Sequence, residues 1–149
     1  MNPFDLKATL LARHAQHVVV IHFPIALFIT SVVFDVIARL TRSRPLARAA
    51  YYNLIGAAIM ALPAVVTGAL AWQLQLEGAK LKGNLRLHLV LGASSAALIW
   101  MLAWWRRGQE RRHRGALAAG YWAVAFLALL VVTLTGHVGG ILSGVEVPN

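Results

Sequence analysis

The chain has 149 residues, of which 59% are apolar and 13% are charged, whereas soluble domains are about 45–50% apolar and roughly 25% charged. This composition excludes a soluble globular domain. Four weakly charged stretches carry the apolar excess, and each is long enough as a helix to cross the roughly 30 Å hydrocarbon core of a bilayer. They lie at about residues 18–38, 51–72, 87–105 and 115–142. The sequence therefore predicts a single all-α membrane domain over residues 1–149.

The residue types exclude several classes of function. There is no cysteine, which rules out disulfides, thiolate catalysis, iron–sulfur clusters and cysteine-ligated zinc. The net charge of +9 does not indicate nucleic-acid binding, because lysines and arginines between membrane spans are typical topology signals. We expect no cleaved signal peptide, since the first apolar stretch is too long for one and no small-x-small site follows it. The sequence shows no internal repeat.

The distribution of basic residues predicts the orientation of the spans. Nine follow the first and third spans: Arg39, Arg42, Arg44, Arg48, Arg106, Arg107, Arg111, Arg112 and Arg114. Five lie on the opposite side: Lys7, Arg13, Lys80, Lys82 and Arg86. Short loops rich in Lys and Arg stay cytoplasmic. We therefore expect an up-down bundle of four transmembrane helices in a bacterial inner membrane, with both termini on the outer, periplasmic side.

Local breakers and caps predict where the helices end. Pro45 and Gly108 fall in the loops after the first and third spans and are expected to break the helices there. Asn53 is the expected N-cap of the second span. Pro24 and Pro63 lie inside spans one and two, which membrane helices tolerate when a neighbour satisfies the freed backbone groups.

Two further polar and aromatic patterns have simple structural interpretations. Asp35 lies four residues before Arg39, which is the spacing for an ion pair on one helix face; a proton-relay role for the carboxylate is the alternative. Trp72, Trp104 and Trp105 lie at span ends, as expected of an interfacial aromatic belt.

The histidines carry the functional hypothesis. His17 and His22 begin span one, His88 begins span three and His137 lies near the end of span four. The up-down topology places all four at one outer end of the bundle. An ionisable residue inside a span marks a functional site by default. Histidines on three different helices at one depth therefore favour a shared site. His113 lies in the arginine-rich loop and is expected to be solvated.

Helical geometry separates the two histidines of span one. Five residues place them about 140° apart around the helix, and His22 lies about 7 Å deeper than His17. We therefore predict His22 in the interior and His17 at the headgroup level. Small residues surround His88 and His137; they either let helices approach closely or leave room for a flat cofactor.

A b-type haem is the first expectation for such a site. Haem iron takes one or two axial imidazoles, and helix bundles supply them from facing helices. Spans one and three are diagonal, which makes His22 and His88 the predicted axial pair and His137 the alternative ligand. Without cysteine the haem would be non-covalent. The basic residues expected near its propionates are Arg13, Lys80, Lys82 and Arg86. The cofactor-binding candidates are thus His17, His22, His88, His137 and Arg86.

Two alternatives stay open at this point. Three neutral imidazoles would suit zinc or copper, although hydrolysis needs a general base and only Glu77 or Glu146 is near that end. The other alternative is a non-catalytic membrane subunit or scaffold whose histidines form hydrogen bonds between helices. Either way, an electron-transfer or accessory subunit, in a homo- or hetero-oligomer, is favoured over a stand-alone enzyme.

The chain also resembles a known family over about residues 17–144. Residues 17–27 read HVVVIHFPIAL, residues 136–142 read GHVGGIL, and residues 67–72 read TGALAW. These segments resemble the bacterial membrane family catalogued as domain of unknown function 2231, although Val18 stands where the family usually has proline. The resemblance implies four spans and association with respiratory or c-type cytochrome partners. It implies no activity.

Overall fold

The computed structural model describes residues 13–75, 78, 80–111 and 117–144. Within this part of the chain lie four long helices: α1 (Arg13–Thr41), α2 (Arg44–Gln75), α3 (Gly83–Arg111) and α4 (Ala119–Leu142). Each contains a stretch long and apolar enough to cross a membrane. The prediction of an all-helical protein with four candidate spans is confirmed. The first three helices extend beyond both ends of the predicted spans.

The helix boundaries expected from local breakers are wrong. Pro45 lies in the first turn of α2, where its missing N–H would have no intrahelical partner anyway. Asn53 is inside α2 and does not cap it; its side-chain amide donates to the carbonyl of Ala49 at 2.8 Å. Gly108 lies within α3. An apolar solvent penalises every backbone group that leaves a helix, which favours the continuation of α2 through Asn53 and of α3 through Gly108.

The four helices form two helical hairpins. α1 packs most extensively against α2 and α3 against α4, while α2 also packs against α3 and α1 touches α4 only slightly. We call α1–α2 the N-terminal hairpin and α3–α4 the C-terminal hairpin. This order around the bundle makes α1 and α3 diagonal to one another.

The core combines buried alanines with large side chains such as Phe28, Leu54 and Leu102, and many other large apolar side chains face outward. Alanines from three helices are buried at the centre, among them Ala57, Ala103 and Ala125, and small side chains let membrane helices approach closely. Large apolar residues are exposed on every helix, with Trp104 77% exposed. A surface of this kind is stable when it contacts lipid.

The alternation of the helices brings two sets of polar residues to opposite ends. The histidine end contains His17, His22, His88 and His137. The arginine end contains Asp35, Arg106 and Tyr121. Which end faces outward stays a prediction from the basic residues.

Candidate functional site

His17 is held between the helices of the N-terminal hairpin. Its ring is half-buried, and Nδ1 lies 3.1 Å from Thr67 Oγ1. The Thr67 hydroxyl donates its own proton to the carbonyl of Pro63 at 2.8 Å, so it must accept from the imidazole, and Nδ1 carries the hydrogen. A Cβ added at Gly68 would lie 2.9 Å from His17 Cε1. Because Gly68 has no side chain, the imidazole of His17 can pack directly against α2.

His88 is held in the same way in the C-terminal hairpin. Its half-buried ring places Nδ1 3.2 Å from the main-chain carbonyl of Thr135. Since a carbonyl can only accept, Nδ1 is the donor. A Cβ at Gly139 would lie 3.0 Å from His88 Cε1, so this glycine lets the imidazole reach the backbone of α4.

A second bond fixes the part of α4 that receives His88. The hydroxyl of Thr135 donates to the carbonyl of Val131 at 2.7 Å. The hydroxyl of Ser95 lies 3.0 Å from Thr135 Oγ1 and is therefore the donor in that pair. Ser95 is buried and lies two turns from His88 on α3, so α3 and α4 are joined at two levels beside the imidazole.

The interior position predicted for His22 is wrong. Its side chain lies on the bundle surface, and Nδ1 donates to the carbonyl of Val18 on its own helix at 2.5 Å. His17, expected at the headgroup level, is the one that packs between helices. Only one of two residues about 140° apart can face α2, and the packing of α1 turns His17 toward it. The His137 side chain also lies on the bundle surface.

Three imidazoles consequently share one tautomer. Nδ1 of His17, of His22 and of His88 is a donor, which leaves the lone pair of the neutral ring on Nε2. Histidines that bind metals almost always donate their other ring N–H to a nearby acceptor in this manner. The geometry is therefore compatible with coordination of a metal at Nε2.

The other predicted site residues are less informative. The side chains of Lys80, Lys82 and Arg86 are exposed near the start of α3, at the histidine end. The side chain of Arg13 lies outside the described residues, as do Glu77, His113 and Glu146.

The sequence model of a family described as "Predicted membrane protein (DUF2231)" matches residues 13–146. The chain belongs to the DUF2231 family. No curated protein and no solved structure matches it. The match covers all four helices of this DUF2231 protein. The family description gives the membrane location and no activity.

The arginine end of the DUF2231 bundle contains a buried ion pair that the sequence did not predict. Arg106 Nη1 lies 2.7 Å from both carboxylate oxygens of Asp35, and its Nη2 donates to the carbonyl of Ala47 at 3.0 Å. The hydroxyl of Tyr121 donates to Asp35 Oδ2 at 3.2 Å. Asp35 and Arg106 are each 3% exposed. One group from every helix meets here, so the cluster joins the two hairpins.

The local ion pair predicted from spacing is therefore corrected. Asp35 pairs with Arg106, 71 residues away, and the side chain of Arg39 is exposed. One signal in the sequence pointed to a distant partner: Asp35 is the only acidic residue within the predicted spans. A buried carboxylate requires a buried cation, and a surface arginine four residues away does not supply one.

Proposed function

We propose that this DUF2231 protein is an integral membrane electron-transfer or accessory subunit that binds a non-covalent b-type haem at its histidine end. The observation that carries the proposal is the placement of His88. Its ring is half-buried between α3 and α4, and its Nδ1 donates to the carbonyl of Thr135, which leaves Nε2 with the lone pair that iron requires. When bound, haem supplies a one-electron iron couple.

The number of ligands favours haem over a bare metal ion. Structural zinc takes four protein ligands and catalytic zinc takes three. Among the residues that the structure describes, no three His, Cys, Asp or Glu side chains are grouped to hold an ion. Haem iron receives four nitrogens from its porphyrin and needs one or two imidazoles. Imidazoles that are not grouped in threes meet the ligand requirement of haem iron better than that of zinc. The exposed cations Lys82 and Arg86 are available to the haem propionates.

The proposed location and orientation of the protein follow from its exposed apolar side chains and its basic loops. The helices have exposed apolar side chains that suit a bilayer, and the basic loops favour a cytoplasmic arginine end. The haem would then lie near the outer face of a bacterial inner membrane, within reach of a respiratory or c-type cytochrome partner. The protein's own part would be to bind and orient the cofactor.

The test is a visible spectrum of detergent-purified protein, expressed with ample haem, before and after dithionite reduction. We expect a Soret band that shifts on reduction in the parent protein, and its change or loss in His88→Ala. His113→Ala, predicted to lie in the arginine-rich loop, is the control and should keep the parent spectrum. A featureless parent spectrum refutes the proposal. Metal analysis of the same sample would then show whether zinc or copper is bound at stoichiometry.

A cofactor-free scaffold is the second candidate, and a specific observation favours it. The His17–Thr67 and His88–Thr135 bonds each connect two helices, which is a sufficient structural role for an imidazole in a membrane. In that case His88→Ala lowers stability, and the purified parent protein retains no haem and has no visible absorbance even after expression with ample haem. The same spectra and a measurement of stability therefore separate the two candidates.

A further inference from the structure

The start of α2 and the end of α3 lie side by side at the arginine end. Their contact is direct, since Arg106 Nη2 on α3 donates to the carbonyl of Ala47 on α2 at 3.0 Å. The next residue on each helix, Arg48 on α2 and Arg107 on α3, has an exposed side chain, and so does Arg44, one turn before Arg48. Three exposed guanidinium groups therefore flank a contact between helices of different hairpins.

The two arginines of α2 begin an exposed stripe on the side of the helix next to α3. Arg44, Arg48 and Tyr52 follow one another at intervals of four residues, so they are neighbours on one helix face. Tyr52 is 68% exposed. At about 100° per residue, Ala47, which contacts α3, is about 60° from Arg44 around the helix. Ala50, whose carbonyl accepts from α1, is about 120° from Arg44, so the stripe lies closer to α3 than to α1.

α3 has a matching stripe on its side next to α2. Arg107, Trp104 and Trp100 are three and four residues apart and share one helix face; Trp104 is 77% exposed and Trp100 42%. At about 100° per residue, Trp105, which packs edge-to-face on the ring of Tyr121 in α4, is about 160° from Arg107. Arg106, which contacts α2, is about 100° away. The stripes of α2 and α3 therefore border the same groove on the outside of the bundle.

We call this surface the arginine face, and its members are Arg44, Arg48, Tyr52, Trp104 and Arg107. It combines cations at the end of the bundle with aromatic rings next to them. Farther along the same two helices the exposed side chains are apolar, as at Ile59 and Leu62 of α2. The order from cation to aromatic ring to apolar side chain is that of a phospholipid from headgroup to acyl chain, since aromatic residues favour the headgroup level.

The charge of the arginine face selects an anionic lipid. Arginine binds phosphate oxygens with two parallel hydrogen bonds. Asp35 is the acidic residue that the structure describes at this end, and it is paired with Arg106. Within the described part of the chain, the guanidinium groups of the arginine face form no ion pair. A zwitterionic lipid would bring its own ammonium group beside them, whereas an anionic lipid brings net negative charge.

We propose that the arginine face binds the phosphate group of an anionic phospholipid, which bridges α2 and α3 and so connects the two hairpins. The proposal does not depend on haem. It also requires more than the topology signal, because orientation depends on how many basic residues a loop contains. Lipid binding depends on which side of the helix those residues occupy.

The first experiment is native mass spectrometry of the full chain in detergent, titrated with phosphatidylglycerol or with phosphatidylcholine of the same acyl chains. We expect tighter binding of phosphatidylglycerol, and a loss of about 5-fold in its affinity in Arg44→Gln and in Arg48→Gln. Arg39→Gln is the matched control. It removes the same charge at the same end, from an exposed position on α1, which is diagonal to α3, and it should keep the parent affinity.

Three results would overturn the proposal. Equal affinity of the parent for the two lipids removes the selectivity. Equal losses in Arg39→Gln and Arg48→Gln show a diffuse positive potential instead of a site. Dimers that persist without bound phosphatidylglycerol, and that Arg48→Gln dissociates, assign the face to a second copy of the chain. Melting in nanodiscs of phosphatidylcholine alone is the folding check, and there each variant should equal the parent.

The second experiment locates the lipid without an arginine variant. Brominated acyl chains quench tryptophan fluorescence on contact. In phosphatidylcholine nanodiscs with a minor fraction of phosphatidylglycerol, bromine on the phosphatidylglycerol should quench more than the same amount of bromine on phosphatidylcholine. Trp104→Phe should remove most of this excess, and Trp72→Phe, at the histidine end, should keep it. No excess in the parent, or an excess that survives Trp104→Phe, contradicts a site on the arginine face.

Discussion

Removing one member of the buried ion pair should destabilise the bundle severely. In Arg106→Met the carboxylate of Asp35 loses both 2.7 Å contacts and keeps the hydroxyl of Tyr121. Breaking a buried pair by removing one partner typically costs about 3–5 kcal/mol, because the other charge is left uncompensated. The arginine also holds the carbonyl of Ala47, so α2 loses a contact as well. We therefore expect a loss of about 3–5 kcal/mol.

The assay is reversible unfolding in bicelles, measured by steric trapping. Arg107→Met is the matched control, since Arg107 is the next residue and is exposed; surface substitutions usually change stability by less than about 0.5 kcal/mol. The double variant Asp35→Leu/Arg106→Met tests the cause, because replacing both charges by apolar groups is often close to neutral. If Arg106→Met costs no more than Arg107→Met, or if the double variant loses the sum of the single effects, the reasoning is refuted.

Three further predictions concern the same bundle. Tyr121→Phe removes a bond to a charged acceptor and should cost about 1.5–3 kcal/mol in the same unfolding assay, while Tyr52→Phe at an exposed position should cost almost nothing. Gly108→Ala, whose Cβ meets nothing within 4 Å, should gain about 0.5–1 kcal/mol from helix propensity; Gly68→Ala should fail to gain it, because its Cβ displaces His17. A phosphatase fused at the C-terminus should be active, because this terminus is predicted to be periplasmic. An inactive phosphatase fusion, together with fluorescence from a cytoplasmic reporter fused at the same position, would show the opposite orientation.

The spans were predictable from sequence because their signal is local and repeated. A run of about twenty apolar residues is typical of a transmembrane helix, and the four stretches are separated by charged loops. The helix ends were less predictable, since Pro45 and Gly108 break helices in water by exposing backbone groups to competition from solvent. In a bilayer that competition is missing, which favours the continuation of α3 through Gly108, whereas Pro45 is accepted because it lies in the first turn of α2, where no intrahelical bond is lost.

The location of the imidazoles was predictable, but their partners were not. Alternating spans place the histidines of α1 and α3 at one end whatever the details of packing. Which of His17 and His22 faces a neighbouring helix depends on the rotation of α1 about its own axis, and that is set by how α1 packs on α2. The partner of Asp35 depends on the same kind of information, because Arg106 becomes its neighbour only when the hairpins meet.

The separation of Asp35 and Arg106 has a consequence for biosynthesis. The two residues are 71 positions apart, so at about 5–20 residues per second a ribosome needs roughly 4–14 seconds to supply the second charge after the first. During that interval α1 enters the membrane without the arginine that pairs with Asp35; an aspartate at the centre of a membrane helix costs about 2.5–3.5 kcal/mol on insertion, and Asp35, close to the end of α1, costs less than that. A chain truncated before α3 lacks Arg106, so its Asp35 carboxylate never gains the buried cation that it has in the complete bundle.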